Sequence, residues 1–286
     1  MSAKVHSLLE SYDVLSGERR LLRQFDSHIE APNWHPDGRS LIYNAGGLIW
    51  RYDLDSGESR QIDTGRCIHC NNDHVLSQDG SLLAISAGTV EDPASRIWTL
   101  PISGGEPRLV TPLAPSYLHG MSPDGSTLAY CAQREGEYDV YTIPVSGGAE
   151  TRLTDAPGLN DGPEYSPDGQ HIWFNSVRSG LMQIWRMRAD GSEQTQMTFD
   201  QDRNSWFPHV SPDGRQVVYL SYCKGDVAPG DHPANKQVEL RLMDALGGQP
   251  STLFELFGGQ GTLNVNSWSP DSRQFAFVSY RLVQDS

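Results

Sequence analysis

The chain has 286 residues, 37% of them hydrophobic, and its 28 glycines bring the apolar share to an ordinary globular value, which excludes a disordered polymer. Lys and Arg number 22 against 36 Asp and Glu, a net charge of −14, which argues against nucleic acid or an anionic membrane surface as the main partner. No apolar run approaches the roughly 18 residues of a membrane-spanning helix, so no membrane insertion is expected, and four cysteines are too few for a disulfide framework.

In chain order, Met1 to Glu10 hold no apolar segment long enough for a signal peptide, so a cytoplasmic location is expected; the periplasm is the expectation if a leader preceded the chain. Residues 8–22 read as two strands, because Leu8, Tyr12, Asp13, Ser16, Gly17, Glu18 and Arg20 match Leu48, Tyr52, Asp53, Ser56, Gly57, Glu58 and Arg60 at one constant offset. A tetrapeptide then recurs: His35-Pro36-Asp37-Gly38, Ser77-Gln78-Asp79-Gly80, Ser122-Pro123-Asp124-Gly125, Ser166-Pro167-Asp168-Gly169, Ser211-Pro212-Asp213-Gly214 and Ser269-Pro270-Asp271-Ser272. Its aspartates stand 42, 45, 44, 45 and 58 residues apart, a period in the range of propeller blades.

Each anchor reads as a tight turn: Pro sets φ near −65°, Asp bonds its own backbone onward, and Gly takes the left-handed conformation. An extended stretch precedes it, as at Pro32-Asn33-Trp34, and an alternating one follows, as at Thr127-Leu128-Ala129-Tyr130. A third strand such as Gln183 to Met187, a second glycine turn such as Ser146-Gly147-Gly148, and a short fourth strand such as Thr151 to Thr154 complete a blade. The expected fold is all-β: a six-bladed β-propeller with four antiparallel strands per blade. As one domain over residues 1–286, its blades fall at about 27–66, 67–112, 113–155, 156–200, 201–260, and 261–286 joined to 1–26. The last repeat has only two strands, so the N-terminal pair is expected to complete it and close the ring, which leaves no open sheet edge between first and last blades.

These Pro-Asp-Gly, WD-like repeats resemble those of the TolB-like six-bladed β-propellers over essentially the whole chain. The resemblance implies the fold strongly and the function weakly, since such blades serve binding proteins, peptidase gating domains and some lyases. No Gly-x-Ser-x-Gly occurs, so no hydrolase domain of the peptidase kind is expected.

In a propeller the inner strands line a channel, and the loops entering them share a face with the loops between second and third strands. Two residues before each anchor's second position stand Trp34, Leu76, Met121, Tyr165, Val210 and Trp268, expected as core between blades. Three before stand Asn33, Val75, Gly120, Glu164, His209 and Ser267, which alternation turns toward the channel. Glu164 and His209 are thus candidates for general acid–base work, against a reading as solvated channel groups. Four before stand Pro32, His74, His119, Pro163, Pro208 and Asn266. His74 and His119 are candidate metal ligands, with His69, Asp73 and His209 as possible additions, but satisfied histidines are the default and no cofactor is expected. Cys67-Ile68-His69-Cys70 stands alone, so reduced thiols are expected there.

The fifth repeat carries an insertion between its second and third strands, Tyr222 to Gln237, with His232 and Lys236. Asp202 to His209, including Arg203, Asn204 and Trp206, and Phe257 to Asn266, including Asn264, gather on the same rim. Trp206 reads either as an exposed platform or as packed under the insertion. Gly258, Gly259 and Gly261 are candidates for letting backbone amides approach a ligand. The expected function is a binding module for a protein segment or small polar ligand, with Arg203, His232 and Lys236 suiting an anionic group. The alternative is a lyase or hydrolase, with or without a divalent metal, acting on a sugar-like anionic substrate at that mouth.

Overall fold

A computed structural model describes residues 4–283. Five four-stranded antiparallel sheets follow one another, each with its first strand innermost. The inner strands are Glu30–Trp34, His69–Leu76, Ser116–Met121, Asn160–Tyr165 and Arg203–Val210. The sixth sheet joins the two ends of the chain: Lys4–Asp13 lies between Arg19–Phe25 and Gln274–Val283. Ten antiparallel pairs, from Lys4↔Val283 to Asp13↔Gln274, form this closure. Arg19 donates to both oxygens of buried Glu10 at 2.6 and 2.7 Å, and Ser279 donates to Glu10 at 2.5 Å, so both ends share one polar clasp. The innermost element of this blade is a single bridge, Trp268↔Phe275. Among the described residues no helix is long and apolar enough to cross a membrane.

The anchors form the expected turns. In the third blade Asp124 Oδ1 accepts from Ser122 Oγ at 2.6 Å and from the Ser126 amide at 3.0 Å, and Gly125 sits at φ 70°. Those hydrogen bonds hold Asp124 down at about 2, below the ordinary carboxylate value. Ser272, where other anchors have Gly, also takes a left-handed conformation, at φ 61°. Its Oγ accepts from the Asp213 amide at 2.9 Å and so ties the fifth anchor to the sixth. Relief of about 1 kcal/mol of strain is therefore opposed by loss of a hydrogen bond of about the same size. Ser272→Gly is expected to change stability by less than about 0.5 kcal/mol in denaturant titration, rather than to stabilise outright; a gain of a full unit would mean that the Asp213 contact contributes nothing.

The inner strands depart from simple alternation. Their pairing slips between Glu30 and Asn33, Cys70 and His74, Leu118 and Gly120, Asp161 and Glu164, and Trp206 and His209. In three blades the slip holds a left-handed residue, Ala31, Gly162 or Phe207, followed by Pro32, Pro163 or Pro208. Proline has no N–H for the ladder, and a bulge is where a strand tolerates it. Side-chain parity counted back from the anchor therefore holds only as far as the bulge.

The core is divided among the gaps between blades. Leu9, Ile29, Leu41, Tyr43 and Val278 bury together where the closing sheet meets the first blade. The residues two before the anchors were expected to form core of this kind, and Met121, Val210 and Trp268 are buried. Trp34, Leu76 and Tyr165 are only half-buried, and all six border the cavity at the anchor-turn end.

Candidate functional site

Two cavities lie along the inner strands. At the anchor-turn end lies a cavity of about 390 Å³ whose polar border includes Asn33, Gln78, His119, Glu164 and Asn266. Glu164 and His209 do come together, at 2.6 Å between Oε2 and Nδ1. Their remaining polar atoms are also engaged. Glu164 Oε1 accepts from the Val210 amide at 2.9 Å and from Asn266 Nδ2 at 2.7 Å, while His209 Nε2 faces the Leu263 carbonyl at 3.2 Å. A carbonyl only accepts, so Nε2 carries a proton and neither ring nitrogen is free to act as a base. This is an internal tie between blades four, five and six. Asn33 is buried beside it.

The opposite end is roofed by the blade-five insertion, as the face argument expects. Tyr222 donates to the Pro233 carbonyl at 2.9 Å, and His232 packs edge-on to Trp206 with ring centroids 4.4 Å apart. Trp206 and Phe207 are buried, so the exposed platform is not formed: the insertion covers it. The glycines at 258, 259 and 261 are required by close packing. A Cβ on Gly259 would stand 2.2 Å from the Pro233 carbonyl oxygen, and one on Gly261 would meet the Glu30 side chain at 2.6 Å.

The positive rim is also partly spent. Arg203 pairs with Glu239, Lys236 Nζ donates to the Asp226 carbonyl at 3.2 Å, and burial lowers the His232 pKa below its ordinary value. Asn204 is buried and accepts from the Met182 amide at 3.0 Å, a structural role between blades.

Beneath the insertion is a cavity of about 560 Å³. Asp73, His119, Asp161, His232 and Asn264 contribute its polar lining, and Tyr117, Tyr138 and Phe207 its aromatic walls. His119 and Asp161 form a buried pair at 3.2 Å between Nε2 and Oδ1. Burial works against both charges, but each partner outweighs it: Asp161 is held down at about 2 by the His119 hydrogen bond and charge, and the charges of Asp73 and Asp161 lift His119 above its ordinary value. His232 Nε2 lies 3.9 Å from the second Asp161 oxygen. Asp73 accepts from Asn264 Nδ2 at 2.6 Å and from Asn71 Nδ2 at 2.8 Å. No cation is bonded to it, and burial pushes it up to about 6 against the pull of His119. Burial and the neighbouring Tyr138 push the Tyr117 hydroxyl up to about 12, so it stays protonated.

His74 and His119 occupy matching strand positions but turn apart. His74 is fully buried with Nε2 facing the Ile42 carbonyl at 3.4 Å in blade one, and burial drops its pKa to about 4. Among the described residues no three His, Cys, Asp or Glu side chains converge as a metal would require. Cys67 and Cys70 are buried free thiols, both pushed up to about 12 by burial.

Of the sequence candidates, the structure gathers His119, His232 and Asn264 at the insertion end and Asn33, Glu164, His209 and Asn266 at or beside the anchor end. Asp73 was considered only as an additional ligand, and Asp161, Tyr117 and Tyr138 were missed. Positions five and six before the anchor's second residue hold Asp73, Asn72, Tyr117, Asp161 and Asn264, a polar and aromatic cluster visible in the repeat. Asp73, five back, keeps the channel-facing parity, whereas pairing slips between Leu118 and Gly120 and between Asp161 and Glu164 accompany the inward turn of Tyr117 and Asp161.

A family model described as the TolB beta propeller domain matches residues 111–237. An uncharacterised protein of Agrobacterium fabrum is 48% identical over 281 residues, covering 98% of this chain and 94% of that protein. A solved structure from Agrobacterium tumefaciens, assigned provisionally to TolB, superposes with a TM-score of 0.93 at 48% identity, covering 98% of this chain and 99% of the other. The Tol-Pal system protein TolB of Francisella tularensis is 28% identical over 213 residues, which is 70% of this chain but 47% of that protein. The chain thus spans about half the length of its TolB relatives.

Proposed function

This chain belongs to the TolB-like family of β-propellers, and we propose that it is a binding module that takes a protein segment or a small polar ligand into the cavity beneath the blade-five insertion. One observation carries the reading. A rigid ring holds a concave space of about 560 Å³, with aromatic walls and a few convergent polar groups, the usual make-up of a ligand site. The likeness to the Tol-Pal system protein TolB is consistent with a protein segment as the occupant.

Gly230 supplies the test. It lines the cavity, its φ is not left-handed, and a Cβ there would meet only Leu159 Cδ2, at 3.9 Å. Gly230→Phe therefore adds a bulky ring at the border of the cavity without backbone strain. Compounds or peptides that raise the melting temperature of the native protein are expected not to raise that of the variant. Equal shifts in both would place binding elsewhere.

One observation favours an enzyme instead. Asp73, held near 6, shares the cavity with the His119–Asp161 pair, a carboxyl group and an imidazole suited to proton transfer near neutral pH. In that case Asp73→Asn abolishes turnover by about 100-fold or more while binding persists. The acidic lining does not favour the anionic substrate expected from the rim charges.

A further inference from the structure

The cavity beneath the insertion is one-sided in its chemistry. Asp73, Asp161 and Asp231 border it, and no Lys or Arg does among the described residues. His119 is committed to Asp161, so Asp73 has only the neutral amides of Asn264 and Asn71 as hydrogen-bond donors. A second observation is independent of the acids. Asn264 is 1% exposed and borders the cavity; its Nδ2 is spent on Asp73, which leaves its Oδ1 with no donor. A buried acceptor without a donor is costly, and here it stands beside a carboxylate that likewise can only accept. Tyr117, Tyr138 and Phe207 add ring faces to the same walls. What satisfies an orphan carbonyl, a carboxylate with no hydrogen-bonded cation and aromatic faces together is a group with several N–H donors and a positive charge.

Resting on the binding reading above, we propose that this cavity selects a primary ammonium group, held by Asp73 and Asn264 Oδ1 against the ring of Tyr117 or Tyr138. The ammonium belongs either to a small amine or to the amino terminus of a protein segment; the recognition chemistry is the same.

Titration calorimetry of the full chain at low ionic strength, with hexylammonium, 1-hexanol and hexanoate as probes, tests this. Hexylammonium is expected to bind at least about tenfold more tightly than either of the others, the scale of a hydrogen bond to a charged group. Asp73→Asn is expected to bring it down to the level of hexanol, and Asn264→Leu to weaken it too. A second arm compares tetra-alanine with its N-acetylated form. A preference for the free terminus identifies a protein segment as the source, and no preference beside tight hexylammonium binding identifies a small amine; both support the proposal. Equal or tighter binding of hexanol or hexanoate, lost in Gly230→Phe, overturns ammonium selection and leaves the binding reading standing. Absence of binding by all three hexyl probes overturns the inference alone, and the screen against Gly230→Phe then decides the reading beneath it. Should Asp73→Asn fail to fold, the ranking of probes on the native chain decides the matter by itself.

Discussion

Removing residues 1–25 lowers the melting temperature by about 10 °C or more. The deletion takes away the ten-residue ladder against Gln274–Val283, the buried side chains of Leu8 and Leu9, and Arg19 and Glu10 of the clasp with Ser279. Burial of each leucine contributes about 1.5–3 kcal/mol. The cut also leaves Gln274–Val283 as an unpaired edge and uncovers Leu41 and Tyr43 of the first blade, so the truncated chain is expected to self-associate as well as to melt early. Calorimetry and size-exclusion chromatography of the truncated protein check both effects. Melting that matches the full chain would mean that ring closure contributes little.

Asp161→Ala is the largest expected effect of a single substitution. Alanine leaves His119 buried without its hydrogen-bonded counter-charge, and breaking such a pair costs about 3–5 kcal/mol. The expected pH dependence follows from the two shifts. Asp161 titrates lower in the fold than its ordinary 3.8, at about 2, so its contribution is present above about pH 4 and lost as pH falls toward 2. His119 titrates higher than its ordinary 6.5, so its contribution is present below that value and lost as pH rises through the folded pKa. The gap in melting temperature between native and variant protein should therefore be widest between about pH 4 and 6.5 and narrow on either side. A gap that is constant from pH 3 to 9 would show that Asp161 acts through packing and its bond to the Gly162 amide rather than through the charge pair.

What the sequence by itself determined is the part that rests on local conformation and on period. Pro, Asp and Gly at the anchors prescribe the turns through φ and through one side-chain hydrogen bond, and the offset match of residues 8–22 to 48–62 prescribes which strands are missing from the last blade. Even the strained Ser272 was legible, because its neighbours in the repeat are glycines. The face on which the insertion falls followed from the same counting.

What only the tertiary structure decided is which side chains reach the channel and what charge they keep there. Pairing slips between Leu118 and Gly120 and between Asp161 and Glu164 break the two-residue alternation, so Tyr117 and Asp161 enter the cavity against the parity counted from the anchor, and Asp73, inside the slip between Cys70 and His74, joins them. Arg203 is neutralised by Glu239 from the third strand of its own blade, and Trp206 is buried by an insertion some 20 residues later in the chain. The pairing of His119 with Asp161 joins residues 42 apart across two blades. Ion pairs and burial of this kind depend on distances in space between blades, and a repeat pattern, which describes each blade by itself, carries no information about them.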